Sequence, residues 1–321
     1  MADKVKASKA AENQCAHDDT KSTLLRIWEE HVLPNWDQVV REPRTRELWW
    51  RGVAPKSRAK VWEKAIGNEL ALTEITYTKA LRRAKGAEAR IAQSPRDDLS
   101  KEKAWFDAIR RDVKVTFPEL NIFQPDGPLH DDLVDVLMAY SMYRSDVGYN
   151  HGTHLAAALF TLTLPNPSST FLSLANLLNR SLPLAFLTGS PPATKKAYSL
   201  VLTLLSHKLP RLHHHLFSTL GLGAHEVLEP MMRMFFLGPR GGVGVEIAVR
   251  VWDVMVFDGD SAIVRTAVAV LGALESRLYV ERDDVLDLLG WKARSEWNLG
   301  GVEDFMARVR TAGKEGKQGK S

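Results

Sequence analysis

The sequence predicts an all-α protein, and three observations carry that prediction. Apolar residues recur at steps of three and four in almost every readable segment, which is the spacing of one face of an α-helix. Turn-forming Pro, Gly and Asn residues separate these segments. No pair of alternating strand-like runs flanks an Asn-Gly or Asp-Gly turn, so β-hairpins are not indicated. With 321 residues, 45% of them hydrophobic, the chain can bury a substantial core.

The N-terminal third is predicted to hold four helices. An apolar stripe runs over 24–32, and a second helix has Pro55 in its first turn and ends at Gly67-Asn68. A basic helix is expected over 73–93, with an interruption at Gly86. A fourth helix is expected over 100–116, because the chain must leave the helix before Pro118.

The same periodicity predicts seven more helices, over 129–143, 149–164, 169–179, 193–209, 224–237, 245–257 and 261–279. Residues 1–21 are polar and residues 311–321 are polar and basic, so both ends are expected to be disordered. That leaves residues 22–310 as one domain, and the Pro-rich break near 165 is the expected division between two lobes. No internal repeat of fixed period is present, which argues against a helical solenoid.

Charge is distributed unevenly along the chain. The formal net charge is +4, yet the segment from Arg41 to Arg111 holds 18 basic and 10 acidic residues. A basic surface of this kind suits an acidic protein or an anionic membrane. Its charges alternate in sign and no nucleic-acid motif accompanies them, so a nucleic-acid partner is not expected, and an ordinary solvated helix surface is the simplest reading.

The sequence offers no sign of secretion, membrane insertion or chemistry of its own. A lone cysteine, Cys15, excludes a disulfide framework, and the polar N-terminal stretch has no signal-peptide core, so we expect a cytoplasmic protein. The run His213-His214-His215 is a poor metal site, because adjacent side chains on a helix point about 100° apart. We therefore predict no metal site. The glycine-rich stretch 238–244 lacks the Lys-Ser/Thr of a phosphate-binding loop and is expected to be a flexible connection.

Four motifs in the chain resemble those of TBC domains, the family of Rab GTPase-activating proteins. They are LWWRGVAPKSRAKVWEKAIGN, IRRDVKVTFP, DVGYNHG and RVWDVMVFDG, and they occur in the family's order over roughly 25–280. The resemblance implies an all-α fold of two helical lobes that form a groove. The stretch that begins FPELNIF is similar to the branch of the family implicated in endosomal and autophagic traffic.

TBC domains, as the resemblance implies, supply two side chains in trans to the GTPase: an arginine that neutralises charge on the transferring phosphoryl group and a glutamine that positions water. This sequence departs from the pattern at both places. Val115 stands at the arginine position and His151 at the glutamine position. A valine offers neither charge nor hydrogen-bond donors, and a histidine cannot present an amide to water. Lys114 and Arg111 are the nearest cations in the chain, and of the two only Lys114 could substitute if the helix unwinds before Pro118.

The resemblance also assigns roles to residues that match the motifs. Asp112 is expected to support the loop that carries position 115, although it could equally be an ordinary surface acid or ion-pair partner. Contacts with the GTPase, or support of the loops, are expected from Arg111, Thr116, Asp146, Tyr149 and Gly152. Structural roles are expected from Arg58, Trp62, Arg250, Trp252 and Asp253.

The prediction is therefore a TBC-like protein that binds a Rab GTPase with lost or weakened activation of GTP hydrolysis. No cofactor of its own is expected, since GTP and Mg²⁺ belong to the GTPase, and endosomal or other vesicle membranes are the expected place of peripheral attachment. Two alternatives stay open: an active GTPase-activating protein that uses Lys114 or a glutamine of the GTPase, and a non-catalytic scaffold for acidic proteins or anionic membranes.

Overall fold

The computed structural model describes residues 22–93, 100–238, 242–291 and 297–313, and this part of the chain is all-α, as predicted. Its α-helices are α1 (Trp36–Val39), α2 (Pro43–Arg51), α3 (Arg58–Ile66), α4 (Glu74–Gln93), α5 (Lys101–Lys114), α6 (His130–Tyr143), α7 (Thr153–Thr163), α8 (Pro167–Leu178), α9 (Ser181–Thr188), α10 (Pro191–Lys208), α11 (Pro210–His213), α12 (Ala224–Arg233), α13 (Val245–Asp258), α14 (Asp260–Ala273), α15 (Arg282–Leu289) and α16 (Val302–Ala312). Residues 22–26 are α-helical as well, and the other described elements are two π-helical segments, Ile27–Val32 and His214–Thr219, and two 3₁₀ turns, Pro118–Leu120 and Glu275–Arg277.

The chain divides into two compact units, residues 1–65 and 66–321. In the first unit the core is aromatic: the rings of Trp28 and Trp49 meet edge to face with centroids 5.0 Å apart. The indole N–H of Trp28 donates to the carbonyl of Gly52 at 3.1 Å. Such pairs hold the turns of a small helical unit together, because an aromatic contact adds to the burial of the rings.

In the second unit α6 is the central helix and packs against α4, α5, α7 and α8. Nine of its residues are buried, including the run Val136–Met142, so it is apolar on nearly every side. This all-round burial is typical of a helix enclosed by others rather than of a surface helix with one apolar stripe. The expected division near 165 falls inside this unit, in the short turn between α7 and α8.

Several predicted boundaries shift. The basic helix α4 runs without interruption through Gly86, and α3 begins at Arg58, so Pro55 lies in the preceding turn instead of the first helical turn. The helix predicted from 149 begins only at Thr153, because Gly152 has a φ of +96° that a helix cannot contain. The helix expected to reach 237 ends at Arg233, and Phe235 and Phe236 follow with positive φ.

The C-terminal region corrects the prediction in a second way. Helices α15 and α16 were not predicted, and α16 extends to Ala312, within the tail expected to be disordered from 311. Ala312 is buried, which explains why the helix continues past 310. The expected disorder of 1–21 and 314–321 falls outside the described residues, as do residues 239–241 of the glycine-rich connection. Among the helices that are described, none is long and apolar enough to cross a lipid bilayer.

Candidate functional site

Helix α5 brings Asp112 to the site and ends just before the arginine position. Ser100 begins this helix by accepting a hydrogen bond from the backbone N–H of Lys103, an N-cap that satisfies a free helical donor. After Lys114 the backbone leaves the helix, and Val115 has φ −107° and ψ 9°. Its side chain is 46% exposed. Position 115 therefore lies at the helix C-terminus, with an apolar side chain facing solvent.

The loop after Val115 is held by its neighbours rather than by residue 115. The hydroxyl of Thr116 donates to the carbonyl of Asp112 at 2.8 Å, and the side-chain amide of Gln124 donates to the carbonyl of Thr116 at 3.1 Å. Phe117, in a left-handed conformation with φ +41°, is buried and packs near Phe123, with ring centroids 6.3 Å apart. The loop is thus held by Thr116 and Phe117, and Val115 itself is held through its backbone N–H, which donates to the carbonyl of Asp112 at 3.2 Å.

A second loop, residues 144–152, carries the glutamine position and closes over α5. Arg144 donates two hydrogen bonds, each 2.9 Å, to the carboxylate of Asp146. Gly148 has φ +64° and lies directly against the indole ring of Trp105, so a side chain there has no room. Gly152 also has positive φ, and a Cβ at that residue would approach Met234 to 3.1 Å. Both glycines are required by conformation and by close packing.

Helix α5, the second loop and the first turn of α7 meet at a polar cluster of Asp112, Tyr149, His151 and His154, which we call the Asp112 cluster. Tyr149 donates its hydroxyl hydrogen to Asp112 Oδ2 at 2.6 Å, and Nδ1 of His151 donates to the same oxygen at 2.8 Å. Nδ1 of His154 lies 3.1 Å from the Tyr149 hydroxyl and 3.6 Å from Asp112 Oδ2. Because one carboxylate oxygen joins the second loop to α5, and the backbone carbonyl of the same residue accepts from Thr116, Asp112 is the organising residue of the site.

Burial sets the protonation states in this cluster. His154 is fully buried, which lowers the pKa of its imidazole to about 4 and keeps the ring neutral near pH 7. Burial also acts against ionisation of Asp112, but the hydrogen bond from His151, the nearby His154 and the hydrogen bond from Tyr149 outweigh it, and the pKa of Asp112 lies below its usual value. Burial and the adjacent Asp112 carboxylate raise the pKa of Tyr149 far above its usual range. The carboxylate is therefore ionised and the phenol protonated at neutral pH.

Of the residues predicted to support the site, the structure brings together Asp112, Tyr149 and His151, with the backbone of Gly152 beside them. The backbone N–H of Gly152 donates to Nδ1 of His154 at 3.3 Å. Arg111 and Lys114 are exposed residues on the last turn of α5. Asp146 is an exposed partner of Arg144 and makes no described contact with the cluster.

The residues expected to be structural are buried or paired. Trp62 in the first unit and Trp252 in the second are fully buried. In the second unit Arg250 lies 3.7 Å from the buried carboxylate of Asp253 and 3.2 Å from Glu303, both ion pairs. Arg58, in the first unit, donates to the carbonyl of Val53 at 2.8 Å.

Sequence reasoning missed two parts of the site. His154 was not singled out, although its spacing of three residues from His151 was a signal that both rings could lie on one face of a helical turn. Trp105 was missed because its partner is the backbone of Gly148, and no pattern of residue types encodes that contact.

A cavity bounded by described residues lies elsewhere in the second unit. Its volume is about 680 Å³, and it lies among α9, α10 and α14, where Leu182, Ala197, Leu200 and Val264 line it. No residue of the Asp112 cluster lines this cavity. The candidate site is consequently a surface feature suited to a macromolecular partner more than an enclosed pocket for a small substrate.

Comparison with known families agrees with the motifs. The family model RabGAP-TBC, described as a Rab-GTPase-TBC domain, matches residues 55–279. TBC1 domain family member 12 of Xenopus tropicalis is 34% identical over 278 residues, which cover 84% of this chain and 40% of that protein. A TBC domain-containing protein of Schizosaccharomyces pombe is 33% identical over 283 residues, or 88% of this chain and 59% of that protein. The chain thus spans about half the length of these two curated relatives.

Solved structures share the fold. The RabGAP TBC domain of a Chlamydomonas flagellar protein superposes with a TM-score of 0.64 at 21% identity and covers 93% of this chain and 95% of its own. The Ypt/Rab-GAP domain of Gyp1p superposes with a TM-score of 0.60 at 15% identity, over 87% of this chain and 96% of its own. At these identities the likeness establishes the fold alone.

Proposed function

The chain belongs to the RabGAP-TBC family, and from that premise we propose that it recognises a Rab-type GTPase and regulates it without ordinary two-finger catalysis. We assign this activity to residues 22–310. The observation that carries the proposal is the state of the two finger positions: Val115 is exposed at the end of α5, and His151 is tied to Asp112. The surrounding scaffold is kept while both chemical groups are replaced.

The loss at position 115 is large in energetic terms. An arginine that stabilises the charge of phosphoryl transfer is worth about 10³–10⁵ in rate, or roughly 4–7 kcal/mol of barrier. Valine supplies neither a charge nor a hydrogen-bond donor, so nothing at this position can stabilise the transition state.

The replacement at position 151 is a partial one. A glutamine presents a donor and an acceptor on one amide and can therefore orient a water molecule. His151 already uses Nδ1 to donate to Asp112, which leaves a single ring nitrogen for other contacts. Half of its side chain is exposed, so this nitrogen can face a bound GTPase, but it cannot reproduce the paired contacts of an amide.

The cellular role that we infer is regulation of vesicle traffic, on endosomal or autophagic membranes, from the similarity of the stretch after Phe117 to that branch of the family. No cofactor of the chain's own enters this scheme, because GTP and Mg²⁺ are bound by the GTPase. Attachment to an anionic membrane through the basic segment is compatible with this role.

Binding is the first property to test. We would immobilise the chain and measure association of a panel of Rab proteins, each loaded with GDP or with a non-hydrolysable GTP analogue. We expect selective binding of at least one Rab in its GTP-like form, and we expect Val115→Asp to weaken it about tenfold or more, since a charge would be buried in the interface. Leu200→Asp, at a similarly exposed apolar residue of α10, is the matched control and should bind normally.

Failure of every Rab to bind would overturn the proposal. If the chain then sedimented with anionic liposomes and not with neutral ones, the scaffold alternative would replace it. If a Rab bound and its GTP hydrolysis rose strongly with the wild-type chain but not with Lys114→Ala, the active alternative would be correct. Lys114 is exposed at the last position of α5, next to Val115, so this variant should fold normally.

A further inference from the structure

The Asp112 cluster brings together three atoms that are metal ligands in other proteins. Asp112 Oδ2, His151 Nδ1 and a ring nitrogen of His154 all lie within 4.8 Å of one another. Two of these groups come from the loop and first turn that lead into α7, and the third comes from the end of α5. Neither finger role explains why a second histidine, His154, faces the same carboxylate oxygen.

The distances match the size of a small tetrahedral ion. With ligand bonds of about 2.0–2.1 Å, adjacent ligand atoms around Zn²⁺ lie about 3.3 Å apart. Asp112 Oδ2 is 2.8 Å from His151 Nδ1 and 3.6 Å from His154 Nδ1. These two distances lie within about 0.5 Å of that value, and the nitrogens of the two histidines lie within 4.8 Å of each other. Rotation of the half-exposed His151 ring can supply the adjustment.

Burial of His154 costs free energy of folding. Its side chain is fully enclosed, and its Nε2 has no hydrogen-bond partner among the described residues. Burial of a polar nitrogen without a hydrogen-bond partner destabilises the folded state by about 1–3 kcal/mol. A leucine would fill this space without that cost. The other nitrogen, Nδ1, points into the cluster toward Asp112 and Tyr149. Nδ1 accepts a hydrogen bond from the backbone N–H of Gly152 at 3.3 Å, and a ligand role would direct the same nitrogen toward an ion held by Asp112.

From this geometry we propose that Asp112, His151 and His154 form a binding site for Zn²⁺. Two imidazoles and one carboxylate suit Zn²⁺ and related transition-metal ions, whereas Mg²⁺ and Ca²⁺ prefer oxygen ligands throughout. Three protein ligands leave a fourth position, for which the hydroxyl of Tyr149 and a water molecule are the candidates. The exposed edge of His151 provides the route of entry.

This site differs from the one that the sequence invites. The adjacent residues His213, His214 and His215 were judged unable to share an ion, and the structure places them in α11 and the π-helical segment after it. The proposed site was invisible in the sequence because Asp112 lies 39 residues from His151. The inference also does not depend on recognition of a Rab, since the ligands all belong to this chain.

The experiment is a metal titration of the full chain, free of any affinity tag and stripped of metal by a chelating resin. Calorimetry with Zn²⁺ should show one ion bound per chain, and Co²⁺ should give the intense visible absorption of a tetrahedral site. His151→Gln should weaken Zn²⁺ binding about 100-fold or more, because loss of a ligand exceeds the roughly 10–100-fold cost of losing an outer-shell partner. This variant should fold normally, since the side chain is half exposed.

Two further variants complete the design. Asp112→Asn keeps the shape of the side chain and should also lose the Co²⁺ spectrum. His214→Gln removes an exposed histidine of the other cluster and should bind Zn²⁺ as the wild type does. Added Zn²⁺ should raise the melting temperature of the wild type and of His214→Gln but not that of His151→Gln, because a ligand stabilises only the state that binds it.

Wild-type protein that binds no Zn²⁺, or equal binding by wild type, His151→Gln and Asp112→Asn, would overturn the proposal. Loss of binding in His214→Gln would do the same, since it would assign the ion to the other histidines. The titration contains no GTPase, so its result is separate from the result of the Rab-binding measurement.

Discussion

The molecule holds Val115 and His151, the residues that we assign to the two finger positions, in different ways. Val115 follows the last turn of α5 with its side chain in solvent, and the anchors of its loop are the neighbouring residues Thr116 and Phe117. His151 donates to Asp112 and lies 5.2 Å from the ring of His154, between centroids. The side chain of Val115 makes no described hydrogen bond or ring contact, whereas His151 is part of a hydrogen-bond network.

We therefore expect substitutions at positions 115 and 151 to differ in their effect on the stability of the fold. A change at 115 affects only what the surface offers to a partner, because no described contact depends on that side chain. A change at 151 alters a buried arrangement that includes Asp112 and Tyr149. Stability measurements on the two loops should therefore diverge, and the following substitutions test that divergence from the largest expected effect to the smallest.

Gly148→Ala should be the most damaging substitution, at about 3 kcal/mol of unfolding free energy. The added Cβ would occupy a left-handed conformation and overlap the Trp105 ring, and the two costs add. Urea denaturation monitored by circular dichroism measures the effect. Gly189→Ala is the matched control, since Gly189 has φ +62° but no atom within 4 Å of a new Cβ, and it should lose only about 1 kcal/mol. Equal losses of unfolding free energy in the two variants would show that close packing of Gly148 against Trp105 does not contribute to stability.

Asp112→Ala should lower the free energy of unfolding by about 2 kcal/mol, because the hydroxyl of Tyr149 and Nδ1 of His151 lose a charged acceptor. Asp107→Ala is the control on the same helix. Asp107 pairs with Lys103 at the surface, and an exposed pair of this kind contributes less than about 1 kcal/mol. The same denaturation experiment compares them, and a smaller loss for Asp112→Ala than for Asp107→Ala would contradict the central place given to the cluster.

Tyr149→Phe should cost about 1.5 kcal/mol, since it removes one hydrogen bond to an ionised carboxylate and leaves the second, from His151, in place. In thermal unfolding the melting temperature of this variant should lie between those of the wild type and Asp112→Ala. A melting temperature at or below that of Asp112→Ala would mean that the tyrosine acts through packing instead.

Val115→Ala should change the free energy of unfolding by less than about 0.5 kcal/mol, as expected for an exposed side chain without specific contacts. The denaturation midpoint is a sufficient readout. A loss above about 1 kcal/mol would show that position 115 is structurally engaged, and the contrast between the two loops would not hold.

The sequence predicted the fold class because helical periodicity is a local property, and its motifs singled out Asp112, Tyr149 and His151, which the structure brings into contact. The sequence could not predict that Tyr149 and His151 donate to the same carboxylate oxygen of Asp112, since these contacts join segments about 40 residues apart. Helix α7 begins at Thr153 and not, as predicted, at 149, because Gly152 has a positive φ. The spacing of apolar residues carries no information about that backbone angle. Helices α15 and α16 were missed because both are short and rich in charged residues, so the apolar residues that packing buries, such as Phe305, form only a weak periodic pattern.

The most direct test of the account is single-turnover GTP hydrolysis by a Rab that the chain binds, measured with the wild type and with the double variant Val115→Arg/His151→Gln. The account predicts little acceleration by the wild type and a gain toward the roughly 10³–10⁵-fold range when both groups are restored on the retained scaffold. Acceleration above about 100-fold by the wild-type chain would contradict the loss of two-finger catalysis. A double variant that binds the Rab yet stays inert would contradict the claim that the scaffold still places both positions for catalysis.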